Sequence, residues 1–113
     1  MNNDELMILW LSADKRAAAD MALLYARDSI LNGWFKSVVL LLWGPTVQSA
    51  AFDGAVQTEL GILTHLGCQI KACKACALRY GVVNELSDLG IEVVGLGEEL
   101  SERLRSKQPV LLI

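Results

Sequence analysis

The sequence predicts an α/β domain with three layers, α/β/α, built around a five-stranded, mainly parallel sheet. Two stretches, Leu6–Leu11 and Val38–Leu42, are apolar without interruption. Such runs fit strands covered on both faces, as in a parallel sheet, and not half-exposed strands that alternate apolar with polar. Stretches with helical spacing of apolar residues lie between the runs. Glycines or Gly-Pro close most of them, so that strand and helix alternate about five times with short connections.

Taken in order, Leu6–Leu11 is the first strand, and Ser12 and Asp14 are placed to cap the following helix. Ala17, Met21, Leu24 and Tyr25 fall at i, i+4, i+7 and i+8 and are its expected buried stripe; Asn32-Gly33 ends it. Ser37–Trp43 is the second strand, stopped by Gly44-Pro45-Thr46. One helix is expected over 48–66, with Phe52, Val56, Leu60 and Leu63 inward and Gly67 at its end. Cys68–Ala72 is the third strand. A helical stretch from Cys73 to about Tyr80 is interrupted by Gly81, and a short helix over 83–89 closes at Gly90. Ile91–Leu96 is the fourth strand. Glu98 and Glu99 open the last helix and Arg103, Arg105 and Lys107 close it, each sign suiting its end of the helix dipole. Val110–Ile113 is the final short strand. No repeat, linker or low-complexity stretch divides residues 1–113, so one domain is expected.

Of the 113 residues, 53% are hydrophobic, and the mean hydropathy is +0.38. A domain this small cannot hide that much apolar surface alone, so part of it is expected between subunits, with Trp10, Trp34, Phe35 and Trp43 as candidates, each with a place in the core as the alternative. The net charge is -3 and the isoelectric point about 5.0. That balance argues against direct contact with nucleic acid or an anionic membrane. Cys68, Cys73 and Cys76 are an odd set, a poor disulfide framework that points to a reducing interior. Asp4 and Glu5 precede only a short apolar run, unlike a secretory signal, and no run has the length of a membrane span. A cytoplasmic protein is expected.

The chemistry is expected at Ala72-Cys73-Lys74-Ala75-Cys76-Ala77. Ligands of such folds bind at the carboxyl ends of the strands, and Cys73 is read as both the end of a strand and the start of a helix. Unpaired N–H groups of the first turn, the helix dipole, Lys71 and Lys74 all favour a thiolate there. Cys76, on the same helix face, is a candidate resolving thiol or disulfide partner, and equally a core residue. Asp14, Trp43, Gly44, Pro45 and Thr46 are the expected pocket wall; for Asp14 and Thr46 helix capping is the plainer role. Cys68 reads as structural, since an extended strand puts it roughly 16 Å from Cys73. His65, the only histidine, falls before that strand and therefore at the opposite sheet edge, which removes a Cys–His dyad within one subunit. One CxxC supplies two of the four ligands a zinc site needs, so no metal is expected. No cofactor motif stands out: Gly95-Leu96-Gly97 is too short for a nucleotide fingerprint.

The chain resembles the DsrE/DsrF-like family of small sulfur-handling proteins over nearly its whole length. The likeness rests on the apolar first strand, Trp43-Gly44-Pro45-Thr46, the Gly67 turn, Lys71-Ala72-Cys73-Lys74-Ala75-Cys76-Ala77, Gly81, and Leu89-Gly90-Ile91. It implies a Rossmann-like α/β/α domain assembling into trimers or hexamers. It also implies a cysteine, here Cys73, that carries persulfide sulfur from a donor protein to an acceptor protein. Cys76 is not general among sulfur carriers, which leaves room for a redox variant using a Cys73–Cys76 disulfide. A non-catalytic binding subunit is the third expectation.

Overall fold

The computed structural model describes residues 4–113, and they form five strands and the helices that cover them. The strands are β1 (Glu5–Trp10), β2 (Ser37–Leu42), β3 (Gln69–Cys73), β4 (Glu92–Val94) and β5 (Val110–Leu112). The sheet order is β4-β3-β2-β1-β5. Every pairing is parallel, so the sheet is wholly rather than mainly parallel. The two central apolar runs account for this: β1 and β2 are each buried at five of six positions, with Glu5 opposite Ser37 and Trp10 opposite Leu42. Trp10 lies in this core, fully buried, which settles its two expected roles in favour of the core and not a subunit contact.

From β1 to β4 each crossover steps in one direction along the sheet, and the last one, from β4 to β5, reverses. Right-handed crossovers then put the helices before β4 on one face and the final helix on the other. Two ion pairs anchor that final helix, α7 (Gly97–Arg105): Glu99 to Lys71 of β3, and Arg103 to Glu5 of β1.

The first helical segment differs from its expected form. It runs as α1 (Lys15–Ala17), a π-helical turn over Ala18–Ala22, and α2 (Leu23–Leu31). The wider turn rotates the later residues. Ala18, Ala22, Leu23, Ala26 and Ser29 face inward, while Met21 is 47% and Leu24 37% exposed. Ala17 and Tyr25 of the expected stripe are half-buried. Small alanines let the helix approach the sheet, and they outcompete the larger apolar residues for that face.

The helix expected over 48–66 is two: α3 (Thr46–Phe52) and α4 (Gly54–His65). Asp53 has an extended backbone and caps α4, accepting the N–H groups of Ala55 at 3.0 Å and Val56 at 3.3 Å. The break turns Phe52 outward, 65% exposed, whereas Val56, Leu60 and Leu63 are buried as expected. After β3 come α5 (Lys74–Tyr80) and α6 (Val83–Asp88). Gly81 ends α5 in the left-handed conformation, φ +68°, which only glycine adopts freely. The fourth strand keeps only the middle of its expected span: Ile91 is buried before it, and Leu96, 1% exposed, precedes α7. No helix among the described residues is long and apolar enough to cross a membrane.

Candidate functional site

Cys73 is the last residue of β3 and the N-cap of α5, with φ −63° and ψ 118°. The chain therefore passes from strand to helix at this cysteine, as its sequence context implied. Its surroundings differ from expectation. The residue is buried, 5% exposed, and not on an open rim. Nor does it accept a capping bond from the first turn of α5.

The two flanking lysines behave differently. Lys71 lies two residues before Cys73 and thus on the same face of β3. Its ammonium contacts Glu99 at 2.7 Å, so its charge is paired with α7. Lys74, the first residue of α5, is exposed and makes no ion pair among the described residues. Glu99 escapes a sequence reading because it lies 28 positions from Lys71.

Cys76 is the third residue of α5 and is 8% exposed. The backbone N–H of Gly44 donates to its sulfur at 3.2 Å. Burial pushes the Cys76 thiol up, the Gly44 bond acts against that shift, and the sulfur of Cys73 beside it adds to the rise. The Arg79 charge pulls weakly the other way. Arg79 follows Cys76 by three positions, a helical neighbour that spacing alone could have identified. All three cysteines are unpaired thiols.

The pocket-wall residues divide. Gly44, with φ +69°, is held against Cys76; Trp43 is half-buried and Pro45 exposed. Thr46 is fully buried and does not present its hydroxyl to the cysteines. That oxygen accepts the Trp43 N–H at 3.0 Å and lies 2.9 Å from the Trp10 carbonyl, latching the ends of β1 and β2 together. Asp14 caps α1, its carboxylate accepting the N–H groups of Arg16 at 2.8 Å and Ala17 at 3.0 Å. Both therefore hold the backbone and not the thiol pocket. Cys68 is buried, and burial raises its thiol to about 12, consistent with an inert role. His65 is exposed at the end of α4.

Three clefts are lined by residues other than Cys73 and Cys76. One of about 530 Å³ is bordered by Gly95, Glu99, Arg103 and Gln108 along α7. Another, of about 340 Å³, lies beside the π-helical turn against Asp53 and Val56. Among the described residues no three His, Cys, Asp or Glu side chains gather in a form that could hold a metal ion.

Fold and site together define a three-layer α/β protein whose all-parallel sheet ends in a two-cysteine strand–helix junction. A conserved protein of unknown function from Bacteroides thetaiotaomicron, BT1422, has this fold with a TM-score of 0.95 and 37% sequence identity, over 98% of this chain and 96% of that one. The chain belongs to the family of that Bacteroides protein. The YchN protein of E. coli shares the fold at a TM-score of 0.69 and 20% identity, over 96% of this chain and 97% of its own. So does MTH1491 of Methanobacterium thermoautotrophicum, a protein of unknown function, at 0.75 and 18%, over 96% and 98% of the two chains. No protein-family profile matches the chain, and no curated sequence does.

Proposed function

We propose that this chain is an intracellular sulfur carrier of the DsrE/DsrF-like kind, with Cys73 accepting sulfane sulfur as a persulfide and passing it to a partner protein. The observation that carries the reading is the position of Cys73. It closes an inner strand at the carboxyl edge of a parallel sheet and begins a helix in the same residue, the place where such folds put their chemistry. A thiol that attacks the outer sulfur of a donor needs no acid or base residue beside it, which suits a junction whose neighbours are Gly44, Cys76 and Lys74. Because Cys73 is buried, small donors such as inorganic polysulfide suit loading. Delivery to a protein needs the junction at Cys73 to open.

The exposed Leu31, Trp34, Phe52, Leu78, Leu104 and Leu112 support assembly into a homo-oligomer, a trimer or hexamer by the family resemblance. Light scattering of the purified chain tests the number.

The sulfur-carrier reading is tested by incubating the reduced protein with polysulfide and mapping its cysteine peptides by mass spectrometry. A gain of one sulfur on Cys73, absent in Cys73→Ser, is expected. Sulfur distributed equally over the three cysteines would remove the assignment. Thiol redox chemistry through a Cys73–Cys76 disulfide is the second reading, favoured by the adjacency of the two sulfurs. A loss of two hydrogens linking those residues after mild peroxide treatment distinguishes it.

A further inference from the structure

Cys73 and Cys76 stand at the N-cap and the third position of α5. Side chains at these two positions face each other across the first turn, the relation that capping boxes exploit. Here both are sulfur, and neither is bonded to the other. Cys76 is further fixed by the N–H of Gly44 at 3.2 Å, a donor that favours the charged sulfur and opposes the rise that burial imposes. Both thiols are nearly sealed from solvent. A partner's thiol must open the junction to reach sulfur carried on Cys73, whereas Cys76 is already beside it. Held in one turn of helix, the second thiol has the advantage of an intramolecular reactant over any thiol in solution.

We propose that Cys76 is a resolving thiol that discharges sulfur loaded on Cys73 as free sulfide. This rests on Cys73 being the acceptor. The Cys76 thiolate attacks Sγ of Cys73 in the persulfide Cys73–S–SH. A bond forms between the two Sγ atoms, and the bond from Cys73 Sγ to the outer sulfur breaks. The outer sulfur departs with its proton and the electron pair as HS⁻. The sulfane sulfur is thereby reduced to sulfide and the two thiols are oxidised to one disulfide, so no other oxidant enters. A dithiol reductant then returns the pair to its free state. The loaded chain is thus a short-lived sulfur holder that releases sulfide unless an acceptor arrives first, which makes Cys76 a control on where the sulfur goes.

The test loads wild type, Cys76→Ser, Cys76→Ala and Cys73→Ser with inorganic polysulfide without oxygen, removes the excess, and follows sulfide release and intact mass. The two Cys76 variants guard against a folding defect in either, checked by circular dichroism. Wild type is expected to release sulfide as it gains the Cys73–Cys76 disulfide. The Cys76 variants are expected to keep one added sulfur on Cys73 for about tenfold longer or more. Equal lifetimes in wild type and Cys76 variants would overturn the resolving role and leave the carrier reading intact. Failure of both wild type and the Cys76 variants to take up sulfur on Cys73 would end the carrier reading and this inference with it. If Cys73→Ser loads Cys76 as readily as wild type loads Cys73, the assigned roles are wrong.

Discussion

Replacing Thr46 by valine should loosen the joined ends of β1 and β2 and, with them, the Gly44 loop that touches Cys76. Thr46 is fully buried. Its oxygen accepts the Trp43 N–H at 3.0 Å and donates to a carbonyl, with Trp10 at 2.9 Å and Trp43 at 3.0 Å as acceptors. Valine keeps the shape and removes both bonds. The Trp43 N–H retains a longer contact with the Trp10 carbonyl at 3.3 Å, so the loss is partial at that end. At about 1 kcal/mol for each full bond, Thr46→Val should cost between about 1 and about 2 kcal/mol. With a urea dependence of about 2 kcal/mol per molar, the unfolding midpoint should fall by about 0.5 to about 1 M. Thr46→Ser keeps the hydroxyl and loses one methyl, a cost of about 1 kcal/mol. The two variants separate in a second assay. Gly44 belongs to the loop that Thr46 latches and is bonded to Cys76, so Thr46→Val should speed iodoacetamide labelling of Cys76 severalfold, while Thr46→Ser should not. An unchanged midpoint in Thr46→Val, or equal acceleration by both variants, would refute the latch.

Other expectations follow from burial and backbone geometry. The Cys68 thiol is raised by burial from 9.0 to about 12, so the unfolded chain releases that proton first as pH rises. The stabilisation is whole below pH 9.0 and is lost towards 12, at about 1.4 kcal/mol per pH unit; urea midpoints of Cys68→Ala should show a shallower alkaline decline than wild type. Gly81→Ala should cost about 1 kcal/mol from the left-handed backbone alone, because a Cβ there meets no atom within 4 Å; a much larger loss in thermal unfolding would mean hidden contacts. Leu63→Ala, at a fully buried position, should cost about 3 kcal/mol. Phe52→Ala in dilute protein should stay within about 0.5 kcal/mol, and equal losses for the two would contradict the break at Asp53.

The layers and strand positions were legible because the central strands carry their burial in their composition. Val38-Val39-Leu40-Leu41-Leu42 is too short for a buried helix and lies between Gly33 and Gly44-Pro45, which favours a strand covered on both faces. Glycine at positions 67, 81 and 90 marked helix ends for a local reason, a left-handed backbone that other residues resist. The π-helical turn had no such mark: several registers of an alanine-rich segment bury apolar atoms, and packing against the sheet chooses among them. The break at Asp53 was legible in principle, since Asp53-Gly54 is a helix-start signal. The longer apolar periodicity across 52–63 masked it. At the junction, the position of Cys73 followed from its neighbours in sequence, but its cover did not. The contacts around the junction join residues far apart in sequence: Gly44 meets Cys76 across 32 positions, and Lys71 pairs with Glu99 across 28.

Both outermost strands, β4 and β5, are only three residues long, while the six-residue β1 and β2 are flanked on each side. Few unsatisfied backbone groups are therefore offered to a passing strand, and ribbon-like growth of one sheet onto another has little template. Copies of this chain that meet would then do so through exposed side chains and not through the backbone ladder. The geometry of any assembly is accordingly written in residues such as Phe52 and Leu78, and can be altered there without touching the hydrogen-bonded ladder.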